Sequence, residues 1–292
     1  MSLGRRVPWW AKIALKMAWS RLPVPHGLWR RLGVFRHGAM RRPDYAWSVF
    51  TAHLARAGLA PPLTGLSLLE FGPGDSLFSA VIAKAMGAGR SWLVDAGRFA
   101  ADDPLAYRAL SAFLATQGLR PPSLDGAVTL GEVLDGCAAT YLTEGLASLR
   151  HVPDASVDFA WSQAVLEHVR LAEFAATLRE MRRVLKPGGV ASHRVDLRDH
   201  LADALNSLRF SEARWESPLF AQSGFYTNRL RFTAMTDAFR DAGFAVEVVG
   251  MDRWERPPTP RRALAAPFRD LPEDELLIKG FDVLLRPVEG AA

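Results

Sequence analysis

The chain has 292 residues, of which 49% are hydrophobic, so it is long enough to bury the core of one large domain or two small ones. Its single cysteine, Cys137, excludes an internal disulfide and fits a reducing cytoplasm, where we expect the protein to lie. No apolar stretch is long enough to span a bilayer, and no Cys/His spacing resembles a zinc site, so we expect no bound metal.

The positive charge is concentrated at the N-terminus. Ten of the 36 Lys and Arg residues lie in residues 1–43, which contain no Asp or Glu, so the remaining 26 face all 31 acidic residues. Trp9, Trp10, Ile13 and Met17 fall on one face of a predicted helix. This basic arm, residues 1–45, either binds an anionic membrane surface, making the protein peripheral to the inner membrane, or packs as a lid on the rest of the chain. We expect no nucleic acid partner, because the remaining chain is acidic and carries no RNA-binding module.

The first strongly patterned segment is a strand, a glycine loop and a helix. The strand, Ser67 to Phe71, is followed by Gly72 and Gly74, then by a helix from about Leu77 to Met86. A second apolar strand ends in Asp95. Glycines let a backbone approach a ligand closely, and a carboxylate at the end of the second strand can accept hydrogen bonds from ribose hydroxyls. The pattern therefore predicts the first β-α-β unit of a nucleotide-binding α/β sheet.

The residues around the two glycines indicate which nucleotide is bound. A dinucleotide loop requires a third glycine, where this chain has Leu77, and the acidic Glu70 and Asp75 suit a cation better than a pyrophosphate. The run Glu70-Phe71-Gly72-Pro73-Gly74 resembles the E/D-x-G-x-G motif of the class I S-adenosylmethionine-dependent methyltransferases. The resemblance implies S-adenosyl-L-methionine as cofactor. The alternative is that the glycines only form a tight turn.

Further helices and strands follow in alternation along the rest of the chain. The predicted helices are Tyr45–Ala57, Leu105–Gln117, Leu130–Cys137, Leu171–Leu185 and Thr233–Ala242. The predicted strands are Thr140–Thr143, Phe159–Ser162, Val190–Val195, Ala245–Val249 and Phe281–Leu285.

The middle of the chain extends the resemblance. The turn Pro153-Asp154-Ala155-Ser156-Val157-Asp158, the triplet Leu166-Glu167-His168 and the run Leu185-Lys186-Pro187-Gly188-Gly189 resemble the methyltransferase family often labelled type 11. The resemblance covers about residues 66–195. It implies an α/β fold with a Rossmann-like seven-stranded methyltransferase sheet, last strand antiparallel, in residues 46–292. Residues 197–232 are predicted to be an insertion over the substrate site.

Three segments also resemble a subset of these enzymes associated with bacterial surface polysaccharides. They are residues 21–25, 192–200 and 223–229. This resemblance implies a sugar or glycan as the methyl acceptor, in a polysaccharide or glycolipid. Two alternatives are a nicotinamide-dependent oxidoreductase and a catalytically inactive assembly protein at a membrane surface.

The methyltransferase resemblance also implies where the cofactor binds. The glycine loop would lie under the methionine and ribose, Glu70 or Asp75 would meet the ammonium group, and Asp95 would bind the ribose hydroxyls. Adenine would lie beside the loop after the third strand, and the transferred methyl would face the end of the fourth. The predicted cofactor residues are Glu70, Gly72, Gly74, Asp75, Ser76, Asp95, Ala96, Glu144, Gly145, Leu146, Ser162 and Gln163.

An alcohol acceptor is a poor nucleophile, so a general base would assist methyl transfer. The candidates are His168, after the fourth strand, and His193, Asp196 and His200, near the end of the fifth. His168 could instead support the fold, and the reaction could proceed without a base. The carboxylates and His200 could alternatively hold a divalent metal, although a loop with an ion pair between Asp196 and Arg198 is favoured.

The predicted insertion carries the residues expected to bind the acceptor. Tyr226 could stack on a sugar ring, and Asn228 and Arg229 could bind its hydroxyls or an anionic group. The alternative for the aromatic residues of this segment is a small core beneath a lid.

Overall fold

The computed structural model describes residues 8–13, 39–124, 126–199 and 201–288. Most of the predicted N-terminal arm, and the predicted catalytic residue His200, lie outside the described residues. The strands are β1 (Ser67–Phe71), β2 (Arg90–Val94), β3 (Ala139–Leu142), β4 (Val157–Gln163), β5 (Leu185–Asp196), β6 (Phe244–Arg253) and β7 (Ile278–Pro287).

Helices occupy most of the connections between the strands. Those of eight residues or more are α1 (Pro43–Arg56), α2 (Phe78–Ala85), α3 (Pro104–Thr116), α6 (Leu171–Val184) and α9 (Phe232–Asp241). The shorter helices are α4 (Leu130–Gly136), α5 (Leu146–Leu149), α7 (Glu212–Trp215), α8 (Pro218–Ala221), α10 (Ala266–Arg269) and α11 (Glu273–Leu277). Short 3-10 turns form at Leu166–His168, Asn206–Arg209 and Arg261–Ala263.

The seven strands form one sheet in the order β3-β2-β1-β4-β5-β7-β6. The first five strands run parallel, and β7 is antiparallel to both of its neighbours, β5 and β6. This confirms the predicted Rossmann-like methyltransferase sheet with its antiparallel last strand. Because the order reverses beside β1, the carboxyl ends of β1 and β4 meet at the edge where ligands bind in open α/β sheets.

Each face of the sheet is covered by its own set of helices. Alternate residues of β4 point to opposite faces, so Phe159 and Trp161 join the core beneath α1, α2 and α3, while Ala160 joins the core beneath α6 and α9. Both faces are thus buried, which explains the nearly continuous apolar runs from which the parallel strands were predicted.

The strands on the antiparallel side are longer than predicted. β5 begins at Leu185 rather than Val190, because Leu185 pairs with Val157 before a shift in register brings Val190 opposite Phe159. The run Lys186-Pro187-Gly188-Gly189 lies within this strand, although its proline and glycines predict a turn.

Two segments fold together over the carboxyl ends of β4 and β5, and we call them the cap. The first is the predicted insertion, residues 197–232, and the second is residues 254–277 between β6 and β7, which the sequence did not single out. They share a small core made by Leu205 and Leu208 of the first segment and Leu264 and Leu276 of the second.

The described part of the N-terminal arm contacts the cap. Residues 9–13 are helical, Ile13 is 5% exposed in a core cluster with Trp215, and the Trp9 ring packs edge-on against Phe210 at 6.2 Å. Trp10, by contrast, is 62% exposed. Among the described helices, none has the length and hydrophobicity needed to cross a membrane.

Candidate active site

The glycine loop after β1 lies against the residue that follows β4. Gly72 and Gly74 have φ angles of +64° and +69°, which favour glycine. A Cβ on Gly72 would lie 2.6 Å from the side chain of Val165, so no larger residue fits there. The loop and the end of β4 therefore form two walls of one site.

Asp95 joins the ends of three strands. Its carboxylate accepts hydrogen bonds from the backbone N–H of Gly74 at 2.8 Å and of Ala96 at 2.7 Å. Its carbonyl accepts from the N–H of Gly145, 2.8 Å away, in the loop after β3. The structure thus brings together four of the predicted cofactor residues, at the edge where the resemblance placed the ribose.

The acidic residues of the glycine loop differ in their surroundings. Glu70 is 4% exposed and accepts a hydrogen bond from the Ser79 hydroxyl on α2. Burial, with a smaller contribution from the charge of Asp95, raises the pKa of Glu70 to about 8. Asp75 accepts a hydrogen bond from the backbone of Ala101 through its carbonyl. Glu70 is therefore a largely neutral acid until a cation approaches it.

The remaining loop residues predicted to contact the cofactor flank these positions. The Ser76 hydroxyl accepts from the N–H of Phe78 at the beginning of α2, at 3.3 Å. The N–H of Glu144 donates to the Ser148 hydroxyl at 2.8 Å, and Leu146 begins α5 directly after Gly145. These bonds fix the course of the two loops that border the predicted nucleoside site.

The end of β4 carries a buried polar network. Nε2 of His53, on α1, lies 3.0 Å from the Oε1 of Gln163, and Nδ1 of His53 lies 2.8 Å from the Ser192 hydroxyl. Because an amide oxygen only accepts, the ring proton is on Nε2 and Nδ1 accepts from Ser192. His53 is fully buried, and burial lowers its pKa to about 4. No sequence pattern singled out His53.

His193, a predicted base, lies inside the core. Its Nδ1 lies 2.8 Å from the hydroxyl of Ser162, and its ring is 6.3 Å from that of Phe71. Burial, together with the neighbouring His53, lowers the pKa of His193 to about 3. The imidazole is therefore neutral and a weak proton acceptor at physiological pH.

His168, in contrast, lies on the surface of the 3-10 turn after β4. Its Nδ1 is 2.8 Å from the carbonyl oxygen of Tyr226 in the cap. Since a carbonyl only accepts, Nδ1 must carry the proton, and in the neutral ring the lone pair is on Nε2. This tautomer is the one that a general base needs when Nε2 faces the acceptor.

Asp196 is held in an ion pair. Both of its carboxylate oxygens accept from the guanidinium of Arg198, at 2.9 and 2.8 Å, and Arg198 also contacts Asp203. In the described part of the chain, no three His, Cys, Asp or Glu side chains come together as a metal site. As placed here, Asp196 neutralises an arginine, so service as a base would require breaking this ion pair.

Two of the residues predicted to bind the acceptor attach the cap to the sheet. The Tyr226 hydroxyl donates to Glu216 at 3.0 Å and accepts from the N–H of Leu171. The side-chain amide of Asn228 donates to the carbonyls of Leu166 and Val169, at 2.8 and 3.1 Å. Direct contact between Asn228 and a substrate would therefore cost one of these hydrogen bonds.

A small cleft lies between the cap and the ends of β4 and β5. Its polar and charged lining comprises Glu167, Asp196, Arg198, Ser207, Thr227, Asn228, Arg229 and Arg231. Glu167 is only 2% exposed. It belongs to the triplet Leu166-Glu167-His168, but it was not predicted to be a site residue. The lining residues come from segments before and after β5 that are far apart in the sequence. No local sequence pattern therefore revealed the cleft.

Residues 127–192, from the loop before α4 to the middle of β5, match a family model described as a methyltransferase domain. This match covers less than a quarter of the chain, and together with the strand order of the sheet it indicates a methyltransferase domain. The matched segment contains Gly145, Ser162 and Gln163 of the predicted site. No curated protein sequence matches the chain.

Solved methyltransferase structures are similar to the enzyme at low sequence identity. A chain in the complex of the Haloferax volcanii Trm112 methyltransferase activator with a putative methyltransferase is 19% identical, with a TM-score of 0.47, covering 94% of this chain and 98% of that one. A Mesorhizobium loti S-adenosylmethionine-dependent methyltransferase is 19% identical, with a TM-score of 0.45 and coverages of 82% and 96%. Haemonchus contortus phosphoethanolamine N-methyltransferase 2 with S-adenosylmethionine is 14% identical, with a TM-score of 0.48, covering 83% of this chain and 53% of that one.

Proposed function

We propose that the enzyme transfers the methyl group of S-adenosylmethionine to a hydroxyl oxygen of a sugar in a bacterial polysaccharide or glycolipid. The observation that carries this proposal is the polar cleft beneath the cap, at the ends of β4 and β5. Hydroxyl-rich acceptors need hydrogen-bonding groups in such a cleft, and Ser207, Thr227 and three arginines line it. An apolar acceptor would leave the buried Nε of Arg229 without a partner.

The cofactor would occupy the edge formed by the ends of β1, β2 and β3. Gly72 and Gly74 would lie beneath its methionine and ribose, Asp95 would accept from the ribose hydroxyls, and Glu70 would balance the ammonium group. Methyl transfer is an in-line displacement at an already activated carbon. The main tasks of the protein are therefore to align the two reactants and exclude water.

We assign the role of general base to His168. Its Nδ1 is bound to the cap, which leaves the lone pair on Nε2, and it directly follows Glu167, which lines the cleft. A proton taken from the acceptor hydroxyl would go to Nε2 as the methyl–oxygen bond forms and the methyl–sulfur bond breaks. His193 suits this role less well, because it is fully buried with a pKa of about 3.

The N-terminal arm would hold the enzyme at an anionic membrane, where lipid-linked glycans are found. Exposed Trp10 and the basic residues of the arm support this part of the proposal. The contacts of Trp9 and Ile13 with the cap agree with the lid alternative for the inner face of the same helix. The membrane interpretation therefore concerns the outer face of this helix, and the lid interpretation concerns its inner face.

The proposal is tested by incubating the full chain with methyl-labelled S-adenosylmethionine and bacterial lipid-linked glycans or polysaccharide. We expect label in methyl ethers of the sugars. His168→Gln should lower kcat by about 100-fold, the scale of general-base catalysis, and leave S-adenosylhomocysteine affinity unchanged. His151→Gln, at an exposed position, is the matched control.

Label confined to nitrogen atoms, or to no glycan at all while the cofactor product binds, would refute sugar O-methylation. Full activity of the His168→Gln variant would show that the reaction needs no base at this position. Tight binding of NADH instead of S-adenosylhomocysteine would favour the oxidoreductase alternative.

A further inference from the structure

The cleft beneath the cap contains two buried polar atoms that have no hydrogen-bond partner. They are Oε2 of Glu167 and Nε of Arg229, and both residues line the cleft. Unpaired polar atoms are rare in protein interiors because each costs about 1–3 kcal/mol. Two such atoms on one cleft offer hydrogen bonds to a polar ligand.

The first of the two atoms belongs to a buried acid. Oε1 of Glu167 accepts from the N–H of Asp196 at 3.3 Å. Burial is the main cause that raises the pKa of Glu167 well above its ordinary value, and the charge of Asp196 adds to it. When the carboxyl group is protonated on Oε2, it is a hydrogen-bond donor without an acceptor.

The second atom belongs to a buried cation. Arg229 is 7% exposed, and its guanidinium lies over the rings of Trp215 and Phe268, at 5.3 and 5.1 Å. Nη1 donates to the carbonyl of Phe210 at 2.7 Å, whereas the Nε–H donor has no acceptor. The backbone of Arg229 has a φ of +61°, a strained region for a residue other than glycine.

The charge of the cleft is positive. Arg231 is 4% exposed and donates only to backbone carbonyls, among them that of Leu197 at 2.9 Å. The charge of Asp196 is matched by Arg198, and burial disfavours the charged form of Glu167. Within the described residues, neither Arg229 nor Arg231 forms a direct ion pair, and only the more distant charges of Glu212 and Glu216 act on Arg229 and that of Glu275 on Arg231.

We propose that this cleft binds an oxyanion of the acceptor, a carboxylate or a phosphate, so that the substrate is an acidic glycan. This inference rests on the proposed function and narrows its substrate class. The oxyanion would accept from Oε2–H of Glu167 and Nε–H of Arg229 and would balance the charges of Arg229 and Arg231. The rest of the sugar would then lie beside His168, the neighbour of Glu167 in the same turn.

The test uses the full chain, saturated with S-adenosylhomocysteine, and two probes, inorganic phosphate and acetate. We expect a saturable rise in Tm and measurable heat of binding with at least one probe, beyond that of chloride at the same ionic strength. A larger effect of phosphate would indicate a phosphorylated acceptor, and a larger effect of acetate a uronic-acid type. If neither probe exceeds chloride, the inference is wrong.

Variants connect this binding to the two unpaired donors. Arg229→Gln should weaken the binding of the anion at least tenfold. Arg240→Gln, at a position on α9 that is paired with Asp237, should leave anion binding unchanged. Glu167→Leu, which removes a donor but no charge, should also weaken binding, and Glu167→Gln, which keeps a donor, should restore it. Wild-type affinity in a folded Arg229→Gln or Glu167→Leu variant would overturn the inference. The two Glu167 variants decide the matter if Arg229→Gln does not fold.

The failure of the anion site and the failure of the proposed function would give different experimental results. Methylation of neutral sugars without anion binding would refute the acidic substrate and leave sugar O-methylation intact. Anion binding that competes with no glycan, in an enzyme that methylates no glycan, would refute the proposed function and not the anion site.

Discussion

At the scale of single residues, Glu70 is a buried carboxyl group beside the glycine loop, where we propose that it meets the ammonium group of the cofactor. It is 4% exposed and accepts a hydrogen bond from the Ser79 hydroxyl, and burial raises its pKa to about 8. S-adenosylmethionine and its product both carry an ammonium group, which favours the ionised carboxylate. Cofactor binding and the proton on Glu70 should therefore be coupled.

We predict that S-adenosylhomocysteine binding at pH 7 releases close to one proton, because the ammonium group lowers the pKa of Glu70. Calorimetry in two buffers of different ionisation enthalpy measures this number. Glu70→Gln should abolish the release, whereas Glu255→Gln, at an exposed position, should keep it. Equal binding enthalpies of the wild type in both buffers would contradict the prediction.

Gly72 lies where close packing leaves no room for a side chain. Gly72→Ala should destabilise the protein by about 2–4 kcal/mol, because the Cβ would meet Val165 and the positive φ would be strained. Urea unfolding measures this loss, and calorimetry should show weakened S-adenosylhomocysteine binding.

Gly188→Ala is the matched control, since a Cβ there meets nothing within 4 Å. Adding Val165→Ala to Gly72→Ala should recover the steric part of the loss but not the part due to φ. A Gly72→Ala variant as stable as Gly188→Ala would show that the loop adapts.

The sequence predicted those parts of the candidate site that depend on local chain geometry. The relative positions of Gly72, Gly74 and Asp95 could be predicted because a strand, a turn and a helix within about thirty residues determine them. That of His53 could not, because it meets Gln163 from 110 residues away, and only the strand order brings the two together. Glu167 was overlooked because its burial depends on the cap.

At the scale of elements, the network of His53 attaches α1 to two neighbouring strands. It connects the helix to Gln163 of β4 and to Ser192 of β5 while keeping the imidazole neutral. Such a contact is stable only while the ring remains unprotonated. The docking of α1, which covers the end of β4, is thus sensitive to acid.

We expect stability to fall as the pH drops from 6.5 towards 4. The pKa of His53 is lowered to about 4, so its contribution is present above the unfolded pKa of 6.5 and is lost as the pH falls through the folded value. Conversion at ~1.4 kcal/mol per pH unit gives a loss of about 3 kcal/mol. Urea unfolding at both pH values measures it.

The comparison requires a variant that cannot titrate. His53→Gln should be less stable at pH 6.5 but lose about 3 kcal/mol less on acidification, whereas His151→Gln, at an exposed position, should behave as the wild type. Identical acid sensitivity of wild type and His53→Gln would show that other groups, His193 foremost, account for the loss.

The elements around β1, β2 and β4 were predicted to within about two residues, and those on the antiparallel side of the sheet were not. Buried parallel strands are short apolar runs between clear turns, so β1, β2 and β4 are visible in the sequence. β6 is an edge strand with exposed residues over most of its length, which lack that pattern. The segment 254–277 contains only short helices and turns, so no periodicity revealed it.

At the scale of the whole molecule, the described arm has two faces with different surroundings. Trp9 and Ile13 face the cap, and Trp10 faces solvent. If the outer face contacts a membrane, the surface that holds the enzyme there is connected to the cap through a single helix. Membrane attachment and cap position would then influence each other.

We predict that Trp10→Ala lowers binding to phosphatidylglycerol vesicles several-fold without changing the Tm, because the ring is 62% exposed. Vesicle sedimentation measures the bound fraction. Leu105→Ala, which removes an apolar side chain of 70% exposure from α3, should bind as the wild type. Unchanged binding of Trp10→Ala, or equal binding to neutral phosphatidylcholine, would refute membrane attachment through this face.

The cap is built from two stretches of chain on either side of β6, joined by a core that neither completes alone. Transplanting acceptor preference between relatives of this enzyme would therefore require both stretches to be exchanged as a pair. A chimaera that carries only one would combine mismatched halves of the leucine cluster. Divergence in this lineage should accordingly show compensating changes in the two stretches.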